Sequence, residues 1–221
     1  MSAEPYIVPV CHQPVDILYR DEHLLLVNKP SGLLSVPGKH PANRDCLISR
    51  LQSDFPGARI VHRLDLDTSG IMVVALSADC HRALNQLFAA RKTSKEYQAI
   101  VFGQVEQQQG QIELPLLCDW PNRPKQKVDL EHGKPALTYY QVLATDPERN
   151  SSRLLLKPVT GRSHQLRVHL SAIGHPVLGC DFYAHDRAVK MAQRLLLHAT
   201  VLSFIHPISG TAINGYSPCP F

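Results

Sequence analysis

The chain has 221 residues, 44% hydrophobic and 19% charged, with a net charge of +4; this composition is ordinary for a globular protein and can bury a core in one domain, or in one domain with two lobes. No apolar run approaches the ~20 residues needed to span a bilayer, and Met1-Ser2-Ala3-Glu4-Pro5 lacks the regions of a signal peptide, so a cytoplasmic protein with no membrane partner is expected. The mildly basic balance is compatible with a polyanionic partner without specifying one.

In chain order, the Pro-rich segment 1–15 reads as an N-terminal arm. Segments 15–18 and 24–28 read as a hairpin around Asp21-Glu22. Asp45 is placed to cap a helix carrying Leu47, Ile48 and Leu51 and ending near Pro56. The run Ile71-Met72-Val73-Val74-Ala75-Leu76 reads as a buried strand. Ser77 then caps a helix whose apolar stripe is Ala83, Leu84, Leu87 and Phe88. Strands are expected over 97–102, 111–114, 136–144 and 153–157. A helix over 163–173 stops at Gly174, and 196–204 returns to strand. Many strands with few helices and no regular βαβ rhythm imply α+β with a mixed, mainly antiparallel sheet.

Cys11, Cys46, Cys80, Cys118, Cys180 and Cys219 are widely spaced, with no Cys-x-x-Cys and no Cys/His cluster of zinc spacing. A chain of this size does not need disulfide staples, so reduced thiols are expected. With no metal motif, the chemistry falls to side chains.

The stretch His62-Arg63-Leu64-Asp65-Leu66-Asp67-Thr68-Ser69-Gly70 puts carboxylates on a loop directly before the buried strand 71–76. Loops anchored this way often carry catalytic groups. A carboxylate there serves as nucleophile or general base. Equally, Asp65 or Asp67 could make an Asx-turn or a helix cap. Lys29 and the run Arg123, Lys125, Lys127 are candidates for phosphate contact, although charge runs are usually solvated faces. Trp120, near that run, could stack on a base of a polyanionic partner or plug a junction between lobes.

His-Arg-Leu-Asp followed by Thr-Ser-Gly resembles the signature of the pseudouridine synthases. Three more segments match that family in order: Asn28-Lys29-Pro30-Ser31-Gly32, Lys95-Glu96-Tyr97, and Arg162-Ser163-His164-Gln165-Leu166-Arg167. The resemblance runs from about Asp16 to the C-terminus. Cys118-Asp119-Trp120-Pro121-Asn122-Arg123-Pro124-Lys125-Gln126-Lys127 narrows it to the branch acting on both 23S rRNA and tRNA. It implies a pseudouridine synthase fold of two lobes with flanking helices and a central cleft. It also implies a single catalytic domain over 16–221, without a separate N-terminal RNA-binding domain.

The activity implied is isomerisation of uridine to pseudouridine in structured RNA. It needs no cofactor and no metal, and a monomer without an obligate protein partner is expected. By its place in the motif Asp65 is the catalytic residue. The resemblance also sets Tyr97 against the uracil ring, Arg167 as the partner of the catalytic aspartate, and Arg63 in the space left by a flipped base. Asp67 lies outside the fixed positions. One departure stands out: relatives carry Gly-Asp-x-x-Tyr where this chain has Gly179-Cys180-Asp181-Phe182-Tyr183, which puts in doubt a hydrogen bond or charge pair of that loop. Two other readings stay open: a glycoside hydrolase using Asp65 and Asp67, and a noncatalytic RNA-binding module.

Overall fold

The computed structural model describes residues 6–221. Its strands are β1 (Asp16–Arg20), β2 (Leu24–Lys29), β3 (Arg59–Ile60), β4 (Ser69–Ala75), β5 (Thr93–Phe102), β6 (Gln109–Glu113), β7 (Leu116–Cys118), β8 (Gln126–Val128), β9 (Leu137–Asp146), β10 (Ser151–Pro158), β11 (Leu197–Ile205) and β12 (Ala212–Tyr216). Its α-helices are α1 (Leu47–Gln52), α2 (Ala78–Ala89), α3 (Gln165–Ala172) and α4 (Asp186–Lys190). The expected α+β class holds, with antiparallel pairing throughout the registered strands. The chain divides into two compact units, Met1–Ser94 with Ala199–Cys219, and Lys95–His198 with Pro220–Phe221.

In the first unit β2 pairs with β1 on one side and β4 on the other. All seven residues of β4 are buried, and so are five of the six in β2. Strands covered on both faces read as continuous apolar runs rather than alternating ones, which is why 71–76 shows no polar face. By contrast β1 is exposed at every position, as an edge strand. Gly70 opens β4 at φ +118, and a Cβ there would lie 2.2 Å from the Ala199 carbonyl oxygen of β11. Only glycine permits both the backbone angle and the approach.

Two local readings need correction. Cys46, not Asp45, occupies the N-cap of α1, and its N–H donates to Ser49 Oγ at 3.0 Å. Asp45 instead receives a forked ion pair from Arg50, at 2.7 and 2.6 Å. α1 stops at Gln52, short of Pro56, and the Asp54 and Phe55 N–H groups close its end on the Leu51 carbonyl. Ser77 caps α2 as expected, its Oγ accepting from the Cys80 N–H at 3.2 Å. Part of the expected arm, residues 1–5, lies outside the described residues. Nearby, Asn43 bonds the Val8 N–H and the Tyr6 carbonyl, and Arg50 reaches the Cys11 and Gln13 carbonyls.

In the second unit β10 lies between β5 and β9, with β6 outside β9. One face of this sheet carries Ala99, Val101, Leu154, Leu156, Tyr140 and Val142, and α3 adds Leu166 and Leu170 to the same core. α3 starts two residues later than expected, since His164 takes a left-handed conformation at φ +54. Gly174 follows at φ +85. The β7–β8 hairpin, β12 and α4 have no counterpart in the sequence reading.

Candidate active site

The signature residues cross the first unit as a loop between β3 and β4, and the Asn28–Ser35 stretch holds that loop by its backbone. Ser35 Oγ donates to the Leu64 carbonyl at 2.8 Å and accepts from the Leu64 N–H at 3.2 Å. The Gly32 N–H donates to the Leu66 carbonyl at 3.0 Å. Ser31 Oγ donates to the Asp67 carbonyl at 2.7 Å. Asp65 therefore sits between anchored neighbours, with the Leu64 side chain buried. His62 accepts from the Val73 N–H at 3.1 Å and stacks on Phe88 at 4.7 Å, tying the loop entrance to β4 and α2. Arg63 is exposed on the same loop.

Lys29 is placed otherwise than expected. It is 0% exposed, and its ammonium donates to the carbonyls of Pro30, Leu33 and Leu66 at 2.9, 2.8 and 3.0 Å. A buried cation persists only when its donors are satisfied. Lys29 is thus a staple between two matched motifs rather than a phosphate contact. The sequence placed it in a motif, but nothing in its local composition separates a buried lysine from an exposed one.

In the second unit Tyr97 stands on β5, in register with Leu156 of β10, and packs partly buried against the apolar core. Its strand neighbours face the other side of the sheet, as period-two alternation requires. Glu96 pairs there with Lys157 at 2.7 Å, and Gln98 accepts from Arg153 at 3.1 Å. Lys95, next in the same motif, is held below the usual lysine range by burial.

Arg167 projects from α3 and is 3% exposed, so it is no surface arginine. Its Nη2 donates to Asp181 Oδ1 at 2.9 Å and its Nε to Cys180 Sγ at 3.3 Å. The guanidinium lies 5.2 and 5.3 Å from the ring centres of Phe182 and Tyr183, within cation–π range. The Gly-Cys-Asp loop thus holds a charge pair. Asp181, one place after the usual acidic position, reaches the arginine, and the Cys180 thiol accepts from Nε. Gly179 sets the loop at φ +72, where a Cβ would meet the Arg194 carbonyl at 2.0 Å.

The base of α3 is fixed by a buried polar chain. Gln165 donates to the Leu137 carbonyl and to Thr138 Oγ1, and accepts from Thr160 and from the Arg162 N–H. His169 bonds Thr138 and the Leu114 carbonyl, each at 3.0 Å. Burial lowers the His169 pKa, partly opposed by that carbonyl, and so favours the neutral ring. Gln165 and His169 were missed in the sequence because buried and exposed polar residues look alike there.

Arg123, Lys125 and Lys127 gather on the β7–β8 hairpin of the second unit. Lys127 is paired with Asp129 at 3.3 Å. Trp120 is exposed, not a plug. Tyr183 ties the hairpin to the arginine loop, its hydroxyl accepting from the Gln126 N–H at 2.8 Å and bonding His164 Nδ1 at 2.5 Å.

The first unit thus carries Asp65 on a pinned loop, and the second carries a half-buried Tyr97 and a clamped Arg167. Residues 23–172 match the family model for RNA pseudouridylate synthase, and the chain belongs to that family. It is 55% identical to the "Dual-specificity RNA pseudouridine synthase RluA" of Yersinia pestis over 90% of this chain and 96% of that protein. With the protein of the same name from Escherichia coli strain K12 the identity is 50%, over 99% of this chain and 95% of that one. Among solved structures, Human RNA Pseudouridylate Synthase Domain Containing 1 is similar at a TM-score of 0.78 and 32% identity, over 96% of this chain and 86% of that one.

Proposed function

We propose that this RNA pseudouridine synthase acts on uridines of both 23S rRNA and tRNA, with Asp65 as its catalytic carboxylate. In the reaction the bond from ribose C1′ to uracil N1 breaks, the base turns, and C5 bonds to C1′, with the C5 proton lost and a proton taken up at N1. No atom is gained and nothing is oxidised, so the chemistry balances without a cofactor. Asp65 either attacks C1′ or takes a proton from the sugar to give a glycal. Tyr97 holds the detached uracil by its ring face, an interaction worth ~1–3 kcal/mol per base in single-strand binders. Arg167 binds substrate as a fixed cation, which stays charged where a lysine could lose its proton. Arg63 fills the space of the flipped base, whose extraction costs a few kcal/mol. Arg123, Lys125 and Lys127 contact phosphates. The enzyme works in the cytoplasm as a monomer.

The observation that supports the assignment of Asp65 most is the anchoring of its loop. Hydrogen bonds to Leu64, Leu66 and Asp67 converge on the one stretch that carries this carboxylate. Such preorganisation is what a catalytic group requires. Release of tritium from C5-labelled uridine in RNA tests the reading. Isomerisation frees the label, whereas a glycoside hydrolase or a pure binder frees none. Mapping pseudouridine in 23S rRNA and tRNA from a deletion strain identifies the targets. Sites missing from only one of the two RNAs would overturn the dual assignment.

A further inference from the structure

The loop joining β7 to β8 displays the only tryptophan of the chain, and Trp120 is 65% exposed there. The loop is closed on itself. The Asp119 N–H donates to the Lys125 carbonyl, the Asn122 N–H to the Asp119 carbonyl and the Lys125 N–H to the Asn122 carbonyl, at 3.0, 2.9 and 3.0 Å. Asn122 Nδ2 adds a bond to Asp119 Oδ2 at 2.8 Å. The Arg123 guanidinium sits 4.7 Å from the indole ring centre, and its Nε donates to the Trp120 carbonyl at 3.2 Å. Lys125 lies 5.9 Å from the Phe182 ring centre. Through Tyr183 the hairpin base joins the loop that clamps Arg167.

An indole body shown to water on a structured loop forgoes the burial that its large apolar surface usually brings. The rim decides which partner recovers it. Asp119 is engaged within the loop, while Arg123 presents a cation over the indole and Lys125, on the same loop, another near Phe182. A π-faced ligand on a polyanionic chain meets both demands at once, since every base has a stacking face and every linkage a phosphate.

We propose that Trp120 and Arg123 form a preformed stacking platform for one unpaired base of the substrate RNA, a base other than the uridine that reacts. This rests on the reading of the chain as an RNA isomerase. The platform recognises that a base is unstacked at a given place in the loop, more than which base it is. It therefore selects RNA by loop shape, which lets two unrelated RNAs share one enzyme.

The lone tryptophan makes the test direct, because fluorescence excited at the red edge of the indole band, beyond tyrosine absorption, reports on Trp120 alone. The probe is an RNA stem-loop carrying a uridine that the tritium assay shows to be converted, with binding followed independently by anisotropy of end-labelled RNA. Quenching of the indole in step with binding is expected. Abasic replacement of the loop nucleotides, one at a time, abolishes the quenching at a single position and weakens binding about 5- to 150-fold. Trp120→Ala produces the same loss with intact RNA and no further loss with that abasic RNA. It raises KM far more than it lowers kcat, and Trp120→Phe recovers most of the affinity. Arg123→Ala reduces the slope of log K against log salt by about 1, which Trp120→Ala does not. Saturated binding with an unquenched indole overturns the proposal, as does quenching that survives every abasic replacement. Absence of tritium release by the wild-type protein would instead overturn the isomerase reading itself.

Discussion

Beside Asp65 the neighbouring backbone is anchored by Lys29, Ser31 and Ser35, at the carbonyls of Leu66, Asp67 and Leu64. Around Arg167 the anchoring contacts fall on the side chain itself, through Cys180, Asp181 and two aromatic rings. The difference follows from reach. A short carboxylate moves little once its backbone is fixed, whereas an arginine on a helix swings through several torsions unless its guanidinium is held directly. The first loop is therefore sensitive to residues that never approach the substrate, and the second to the neighbours of one side chain.

The largest effect should come at the group that the first loop presents. Asp65→Asn keeps the shape and removes the anion, so turnover in the tritium assay falls below detection. RNA affinity stays largely intact, since phosphate contacts supply most of it. Measurable turnover by pure Asp65→Asn protein would remove Asp65 from its role.

Lys29→Met strikes the anchoring without touching the charge presented. It deprives the Pro30 and Leu33 carbonyls of the ammonium donor, at ~1–3 kcal/mol for each that finds no other, while Leu66 keeps the Gly32 N–H. Urea unfolding should show a loss of about 2 kcal/mol or more, with an unchanged salt slope for RNA binding. Unchanged stability with a slope reduced by about 1 would restore Lys29 as a phosphate contact and break the comparison.

Tyr97 sharpens it from the second unit. Tyr97→Phe keeps the ring and most of the activity. Tyr97→Leu should lower kcat/KM by the ~1–3 kcal/mol of a lost base stack. Equal losses in the two variants would shift the role of Tyr97 from its ring to its hydroxyl.

The smallest effect is expected at the shifted acid. Asp181 is 57% exposed, so Asp181→Asn should cost about 1 kcal/mol or less in thermal unfolding. Arg167→Lys should cost more, because an ammonium cannot keep both the Cys180 bond and the Asp181 pair in the same geometry. If Asp181→Asn proved the worse of the two, the arginine would depend on that ion pair more than on its burial.

Much of this was legible in the chain. The apolar run 71–76 announced a strand buried on both faces. Ser77 marked a helix start, and Gly174 a helix stop. The motifs named Asp65, Tyr97 and Arg167 in order. Asp45 was misread because two polar residues stood near the start of α1, and local chemistry did not say which one turned inward. The β7–β8 hairpin escaped because its strands are three residues long and its loop is held by bonds made only after closure.

By itself the sequence determined the fold class, the family and the candidate for the catalytic carboxylate, since periodicity, turn residues and motif order are properties of neighbours along a chain. Tertiary structure decided which polar groups are buried and what they bond. Lys29 becomes a staple only because Leu66, 37 residues away, brings its carbonyl within 3.0 Å. Asp181 finds its partner only because α3 carries Arg167 to that loop. Whether a charge faces water or a carbonyl is settled by distant segments meeting in space, and no local pattern encodes that meeting.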